Sequence, residues 1–348
     1  MTEIYCNAIS QEKWDSFVNN IEKSTMAHLY GWKNVIKKTY GHKSYYFHLE
    51  KDGEIKSILP LCYIDSKLFG RKLVSMPFLD YGGLCSKDQS VDRENHFPEI
   101  LQKIISLSKE IKADIIELRH LENHHLSWAS HQEKVTMLLA LQPTEELMWQ
   151  ALPSERRNRI RKAQKNDLST SIGALDIIDE FYRTFAVNMR DLGSPVHSKR
   201  FFINIIEEFP AKTKIMLVKH QSMVIGAALC FIHNNTISIP WVSSLRSHFD
   251  LYPNNILYWD AMKFAISQGC TCFDFGRSSH GSGTFLFKKR WGATPKQLYW
   301  DMHMVNAEVN SNHKISNPNY QFALKIWQKL PVAVSCIIGP PIRKNISN

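Results

Sequence analysis

The chain has 348 residues, 44% hydrophobic and 22% charged; that composition belongs to a soluble globular protein and excludes a disordered one, and the length implies two domains. Lys and Arg outnumber Asp and Glu by 43 to 33, a formal charge of +10, which favours polyanionic partners such as nucleic acid, nucleotide-linked substrates or an anionic membrane without choosing among them. Seven scattered cysteines with no CxxC and no Cys/His ligand spacing read as free thiols in a reducing compartment, and no metal site is expected. No signal-peptide pattern opens the chain and no apolar run approaches the ~20 residues that span a bilayer, so a cytoplasmic location is expected.

Trp14–Ile21 reads as a helix, followed by the stretch His28–Trp32 (HLYGW) and a second helix over Trp32–Lys38. The apolar runs Tyr45–Leu49 and Ile55–Ile64 flank Lys51-Asp52-Gly53, a hairpin turn signal. Residues 75–83 (SMPFLDYGG) read as a strand running into a Gly-Gly loop that carries Asp80 and Tyr81. Phe97–Ile111 has helical spacing of Ile and Leu, and Ala113–Leu118 reads as a strand ending near Glu117 and Arg119.

The second half repeats this plan. Residues 213–232 superpose on 45–64 without a gap, each a hairpin ending in Leu-Cys-aromatic-Ile. Ser238-Ile239-Pro240-Trp241 echoes Ser75-Met76-Pro77-Phe78, and a helix over Ile256–Ser267 leads to a strand ending at Asp274, as the earlier helix leads to Glu117. Three segments recurring in one order imply a duplicated α/β domain. Ahead of the second copy lie a helix over Thr144–Ala151, the interrupting Pro153 and a basic helix over Ser154–Gln164, with Arg157 and Arg161 four residues apart. That basic face is either solvated or a phosphate contact. Helices over Glu180–Met189 and Lys199–Glu208 bracket Arg190–His197 (RDLGSPVH), a loop that either clamps a substrate or merely connects.

The densest chemistry lies in Ser267–Ala293. The alternating run Cys270–Phe275 reads as a strand that breaks at Gly276, Arg277–Gly283 as a loop of Arg, Ser, His and Gly, and Lys288, Lys289 and Arg290 as a cation cluster. An acid at a strand end, a glycine loop and three cations make either a ligand site or a surface loop with a basic patch. No GxSxG or nucleophilic-Cys motif is present, so no covalent enzyme intermediate is indicated. Beyond Asn317 a short amphipathic helix, Tyr320–Leu330, precedes a proline-bounded apolar strip; this tail either packs on the core or touches a membrane surface, with Trp327 and the flanking lysines as anchors.

These stretches, together with Leu59–Leu61 (LPL), Arg156–Ala163 (RRNRIRKA), Met189–His197, Phe273–Ser279 (FDFGRSS) and Phe287–Ala293 (FKKRWGA), resemble the FemAB-like acyltransferases. Nearest among them are the FemAB-related proteins of exosortase/PEP-CTERM and exopolysaccharide systems. The resemblance implies an α/β (α+β) fold of two tandem GNAT-like domains with mixed sheets, over 1–143 and 144–305, with 306–348 as a helix and apolar tail. It implies transfer of an acyl or aminoacyl group to an amine of a cell-envelope or exopolysaccharide-related acceptor, nucleotide- or lipid-linked. No bound cofactor is implied; the donor is aminoacyl-tRNA or, as the competing reading, acyl-CoA. A non-catalytic tRNA- or precursor-binding protein is the reading from another class.

The position that carries a Gly-rich pyrophosphate loop in CoA-dependent GNAT enzymes is Leu245–Asn255 here and holds no glycine. Asn254 or Asn255, as a helix cap, is left to receive an anion. On the same resemblance Lys288 is the candidate for the oxyanion or leaving-group role. Asp274 is the candidate to accept a hydrogen bond from the attacking amine or to orient the loop, with a plain strand-end cap as the other reading. Arg277 and His280 are candidates for phosphate binding or proton transfer, and Trp241 and Ser243 for lining the acyl group. Tyr30, Asp80, Tyr81, Arg190, His197 and Asn255 complete the expected substrate contacts.

Overall fold

A computed structural model describes residues 2–67, 69–87, 97–305 and 318–347. The chain forms two compact units, the first of Met1–Val135, Lys296–Ser311 and Lys344–Asn348, the second of Thr136–Pro295 and Asn312–Arg343. Part of the expected tail, 306–317, lies outside the described residues.

The first unit begins with β1 (Thr2–Cys6), α1 (Gln11–Asn19), a 3-10 turn at Met26–His28 and α2 (Trp32–Tyr40). The expected hairpin follows as β2 (Lys43–Lys51) and β3 (Glu54–Ser66), then β4 (Gly70–Val74), β5 (Cys85–Ser86), α3 (Phe97–Glu110), β6 (Ile115–His120) and β7 (Ala129–His131). A sheet runs β1-β2-β3-β4-β6, then a late strand β15 (Tyr299–Met304), then β7, with β5 against β3. It is mixed: β3–β4 is antiparallel, and β4–β6, joined through α3, is parallel. Phe97, Ile100 and Ile104 of α3, spaced for one helix face, bury against Phe47, Leu59, Leu61, Leu73, Ile116 and Leu118. Each such side chain contributes about 1.5–3 kcal/mol through burial.

In the second unit β8 (Lys134–Ala140) is followed by α4 (Glu145–Ala151), whose Thr144 cap accepts from Leu147 N, and by α5 (Ser154–Lys165), which starts at the interrupting proline. Then come β9 (Leu168–Gly173), α6 (Ile178–Leu192), α7 (Lys199–Glu208) and the second hairpin, β10 (Thr213–His220) and β11 (Met223–His233). The unit continues with β12 (Thr236–Ser244), α8 (Pro253–Ser267), β13 (Cys272–Ser279), α9 (Gly283–Lys289), β14 (Thr294–Gln297), α10 (Pro318–Gln328) and α11 (Val332–Arg343). The sheet order is β9-β10-β11-β12-β13-β8-β14, strand for strand the plan of the first sheet. Even the irregularities agree: the hairpins shift register at Leu49/Glu50 and at Val218/Lys219, within one residue of each other in the sequence superposition.

The sixth strand in each sheet is where the sequence reading and the structure differ. β15, placed by sequence in the second domain, pairs antiparallel with β6 from Tyr299↔His120 to Met304↔Ile115. β8, placed in the first, lies beside β13 in the second sheet. The chain therefore crosses the boundaries expected at 143 and 305.

Four local expectations are also corrected. Residues 75–83 are turns, with Met76 and Phe78 at positive φ, and the strand is β4 before them. Arg190–Leu192 are the last turn of α6, which stops at Gly193 (φ 77°), so the loop is only 193–198. β13 does not break at Gly276 but runs to Ser279. The apolar strip is the helix α11.

Candidate active site

The parallel strands β12 and β13 pair only from Thr236↔Cys272 to Ser238↔Asp274, although β12 continues to Ser244 and β13 to Ser279. The cause is in β12. Its register with β11 passes from Phe231↔Ser238 to Leu229↔Trp241, so Ile239 and Pro240 together stand opposite Cys230 as a bulge. Proline has no N–H to give a ladder, and a bulge bends its strand. Beyond it β12 keeps its pairing with β11, to Gly226↔Ser244, and parts from β13.

Asp274 and Lys288 meet at the first residues of β13 past that fork. Asp274 is 2% exposed; its Oδ1 accepts from Thr136 Oγ1 at 2.6 Å and from Gly276 N at 2.8 Å. Lys288, 7% exposed, donates from Nζ to Gly276 O and Arg277 O, both at 2.9 Å. One glycine, at φ 75°, is thus held through its N–H by the carboxylate and through its C=O by the ammonium. Left-handed backbone inside a strand suits glycine. Lys288 reaches inward because α9 is started by Ser282, whose Oγ accepts from Phe285 N. A buried polar side chain needs hydrogen bonds to replace lost water, and both of these have them.

On the parted strands, the hydroxyls of Ser243 (2% exposed) and Ser278 (4% exposed) have no hydrogen-bond partner among the described residues. Ser243 was expected from the sequence; Ser278 was hidden in what reads as a loop. Thr136, the partner of Asp274, was missed because it is 138 residues away and no local pattern marks it.

The other candidates of this unit fall into separate places. Trp241 packs at 5.4–5.5 Å between ring centroids against Phe201 and Phe202. His197, 1% exposed, stacks on Phe201 at 4.4 Å, and its Nε2 accepts from Arg343 Nε at 2.9 Å. Burial, aided by Arg343, holds its pKa well below the usual imidazole range. Arg190 pairs with Asp191 at 2.6 Å and donates to Leu330 O. Asn255, 4% exposed, accepts from Arg156 Nη1 at 3.3 Å; Arg156 is wholly buried, pairs with Glu155 and lies over the Phe287 ring. Neither asparagine caps α8: the cap is Tyr252 at φ 63°, with Pro253 in the first turn, where a missing N–H costs nothing. Asn254 Oδ1 instead accepts from Ser244 Oγ at 2.7 Å. Arg277 is half-buried, with its carbonyl on Lys288; His280 is exposed, its ring 5.4 Å from Phe285.

Tyr30, Asp80 and Tyr81 belong to the first unit. Tyr30 N donates to Asp15 Oδ1, and its hydroxyl accepts from Lys33 Nζ at 3.2 Å. Asp80 and Tyr81 are half-buried, and the Asp80 carbonyl accepts from Trp300 Nε1. Their loop is clamped to His28, whose Nε2 lies 3.1 Å from Gly83 O. A Cβ at Gly83 would stand 2.1 Å from His120 Nδ1, so no other residue fits.

Residues 154–289 match the family model described as "Acetyltransferase (GNAT) domain". No curated protein sequence matches the chain. Among solved structures, FemX superposes with a TM-score of 0.66 at 14% identity, covering 85% of this chain and 96% of FemX. The C-terminal domain of a putative lysylphosphatidylglycerol synthetase from Agrobacterium fabrum gives 0.56 at 10% identity, covering 85% and 91%. A tandem GNAT protein from the clavulanic acid biosynthesis pathway gives 0.53 at 8% identity, covering 89% and 100%. At these identities the structural likenesses speak for the fold alone. Residues 154–289 thus match a GNAT-type acetyltransferase domain, set in a chain of two like mixed sheets.

Proposed function

We propose that this chain transfers an aminoacyl group from aminoacyl-tRNA to a primary amine on a precursor of the cell envelope or of an exopolysaccharide, in the cytoplasm or at the inner face of its membrane. The observation that carries the reading is the fork at Pro240, with the Lys288 ammonium fixed at its mouth. The amine nitrogen bonds to the carbonyl carbon, the ester C–O bond to the ribose breaks, and the proton shed by the amine goes to the leaving ribose oxygen. Negative charge grows on the carbonyl oxygen before that bond breaks, and a preorganised cation stabilises it without reorganisation. Asp274 has the positioning role: it fixes the peptide that presents its carbonyl to Lys288. The fold likeness to a domain titled a putative lysylphosphatidylglycerol synthetase, a name that couples an amino acid to a lipid, favours an aminoacyl donor.

An acyl-CoA donor is the second reading, favoured by the acetyltransferase description of the matched domain, since GNAT enzymes take acyl-CoA. The glycine-free segment before α8 speaks against it. There Arg246–Leu251 form a 3-10 turn and both asparagines are engaged by side chains.

Parallel incubations with charged tRNA and with acyl-CoA, followed by mass spectrometry of amine acceptors, separate the donors. Lys288→Met is expected to lower transfer about a hundredfold or more, the usual effect of removing one oxyanion donor, in protein that still unfolds cooperatively. Undiminished turnover by that variant removes Lys288 from the mechanism.

A further inference from the structure

α11 has its amphipathicity turned outward. Its inner side is made of small residues: Ser335 and Gly339 are buried, and a Cβ on Gly339 would lie 2.9 Å from Val196 Cγ1. The Arg343 guanidinium fastens the end of the helix to His197. The outer side is Ala333, Val334, Ile337, Ile338 and Pro341, all exposed and all apolar, at the i, i+1, i+4, i+5, i+8 spacing of one helical face. Ile337 is 73% exposed, the most of any large hydrophobic residue among those described. This is not a tail waiting to fold back, because the side that packs is already packed.

The neighbourhood extends the pattern. α10 is bound to the end of α6 through Gln328 to Asp191 O, and there Ile326 and Leu192 are each 49% exposed. Lys325 and Lys329 are exposed beside Ile326. From 318 to 347 the chain holds Lys325, Lys329, Arg343 and Lys344 and no acidic residue.

We propose that α10 and the outer face of α11 dock on an anionic lipid surface, with Val334, Ile337 and Ile338 entering the headgroup–acyl boundary and Lys325 and Lys329 meeting the headgroup charge. Charge decides among occupants. Two copies meeting through this face would bring like cations together with only the Asp191 carboxylate, already paired with Arg190, beside them, whereas an anionic bilayer supplies both the apolar layer and the opposite charge. No helix among the described residues is long and apolar enough to cross a membrane, so the contact is peripheral.

The full chain is sedimented with vesicles of phosphatidylglycerol and phosphatidylcholine, and with vesicles of phosphatidylcholine alone, at low and high salt. The expected result is binding at least tenfold tighter to the anionic vesicles, weakened by salt. Ile337→Asp combined with Ile338→Asp is expected to remove it without moving the thermal midpoint, since both side chains are exposed. Lys325→Glu with Lys329→Glu is expected to abolish the preference for anionic lipid. Absence of vesicle binding overturns the proposal, as does binding that survives the double Asp variant. A dimer seen by ultracentrifugation that the double Asp variant dissociates, in protein that ignores vesicles, assigns the face to a second copy and also overturns it. These readouts need no turnover, so they stand or fall apart from the transferase reading.

Discussion

The two sheets reach the same point and treat it differently. In each, a parallel pair joined through a helix is in register over three residues, Lys72–Val74 with Ile115–Glu117 and Thr236–Ser238 with Cys272–Asp274. In the first unit the strand stops there, and the turn after it is welded to β6. Ser75 N donates to Glu117 O, and Ser75 Oγ accepts from Arg119 N. The Arg119 side chain, wholly buried, binds Glu117, Leu79 O and Ser347 O and lies 4.3 Å from the Trp300 ring centroid. In the second unit the strand goes on, bent at Pro240, and buried hydroxyls on both arms of the fork keep hydrogen-bonding capacity unspent. The first gap is closed by Ser75 and Arg119, with His120 Nε2 on β6 left without a hydrogen-bond partner among the described residues; at the second, on the proposed reading, the Ser243 and Ser278 hydroxyls await a donor. The two sheets share one strand plan, and the proposed chemistry needs only one open fork.

The largest expected effect tests the closed side. Arg119→Met leaves the Glu117 carboxylate buried without its guanidinium, a change worth about 3–5 kcal/mol, read as a shift in urea midpoint. Transfer per folded molecule is expected to stay near that of the native chain. A selective loss of turnover would mean that the first fork is part of the machinery, and the comparison would break.

Acid attacks the same closed loop, with about 3–4 kcal/mol at stake. Burial holds the His28 pKa down to about 4, against hydrogen bonds to Gly83 and Thr25 that raise it. The unfolded chain takes the proton near pH 6.5, so stability is intact above that value and drains as pH falls toward 4; 2.5 pKa units at about 1.4 kcal/mol each give the figure. Urea titrations across that window should show the slope, and His28→Gln should flatten it.

How far the sequence foretells this depends on the range of each interaction. The hairpins were legible because alternation and a short polar turn are local, and they fall at 43–66 and 213–233. α3 and α7 were legible from apolar spacing. The strand expected at 75–83 was not one, because an apolar run reads the same whether it is paired or folded over a buried arginine; Met76 and Phe78 take positive φ in the turn whose Leu79 carbonyl accepts from Arg119. Gly276 reads as a break because a glycine in a strand usually is one, and here a carboxylate and an ammonium on either side of its peptide keep it in line. The exchange of β8 and β15 between sheets leaves no local trace at all. Of the candidate site, Lys288, Asp274 and Ser243 were nameable in advance. Their shared attachment to Gly276 and the bulge at Pro240 are long-range facts, as is the partnership with Thr136.

Two smaller effects sharpen the open side. Gly276→Ala forces a Cβ into left-handed backbone, which costs about 1–2 kcal/mol, and displaces the carbonyl that holds Lys288. Turnover should therefore fall more than stability. Equal turnover with a lowered melting temperature would show that the position of the ammonium does not matter.

Ser243→Ala is the mildest change and the most discriminating. Its hydroxyl is buried without a partner among the described residues, so removing it gives up no hydrogen bond there and relieves an unmet group; stability should stay within about 0.5 kcal/mol or rise slightly. If a bound donor supplies the missing partner, the same deletion raises the KM for that donor by about two- to tenfold, the worth of one hydrogen bond. The matching change on the closed side, Ser75→Ala, removes a hydroxyl that already accepts from Arg119 N. It should therefore destabilise while leaving that KM alone. A spent hydroxyl whose loss costs stability, set beside an unspent one whose loss costs affinity, is the comparison of the two forks reduced to a pair of single-atom deletions; the reverse pattern would place the ligand in the first unit.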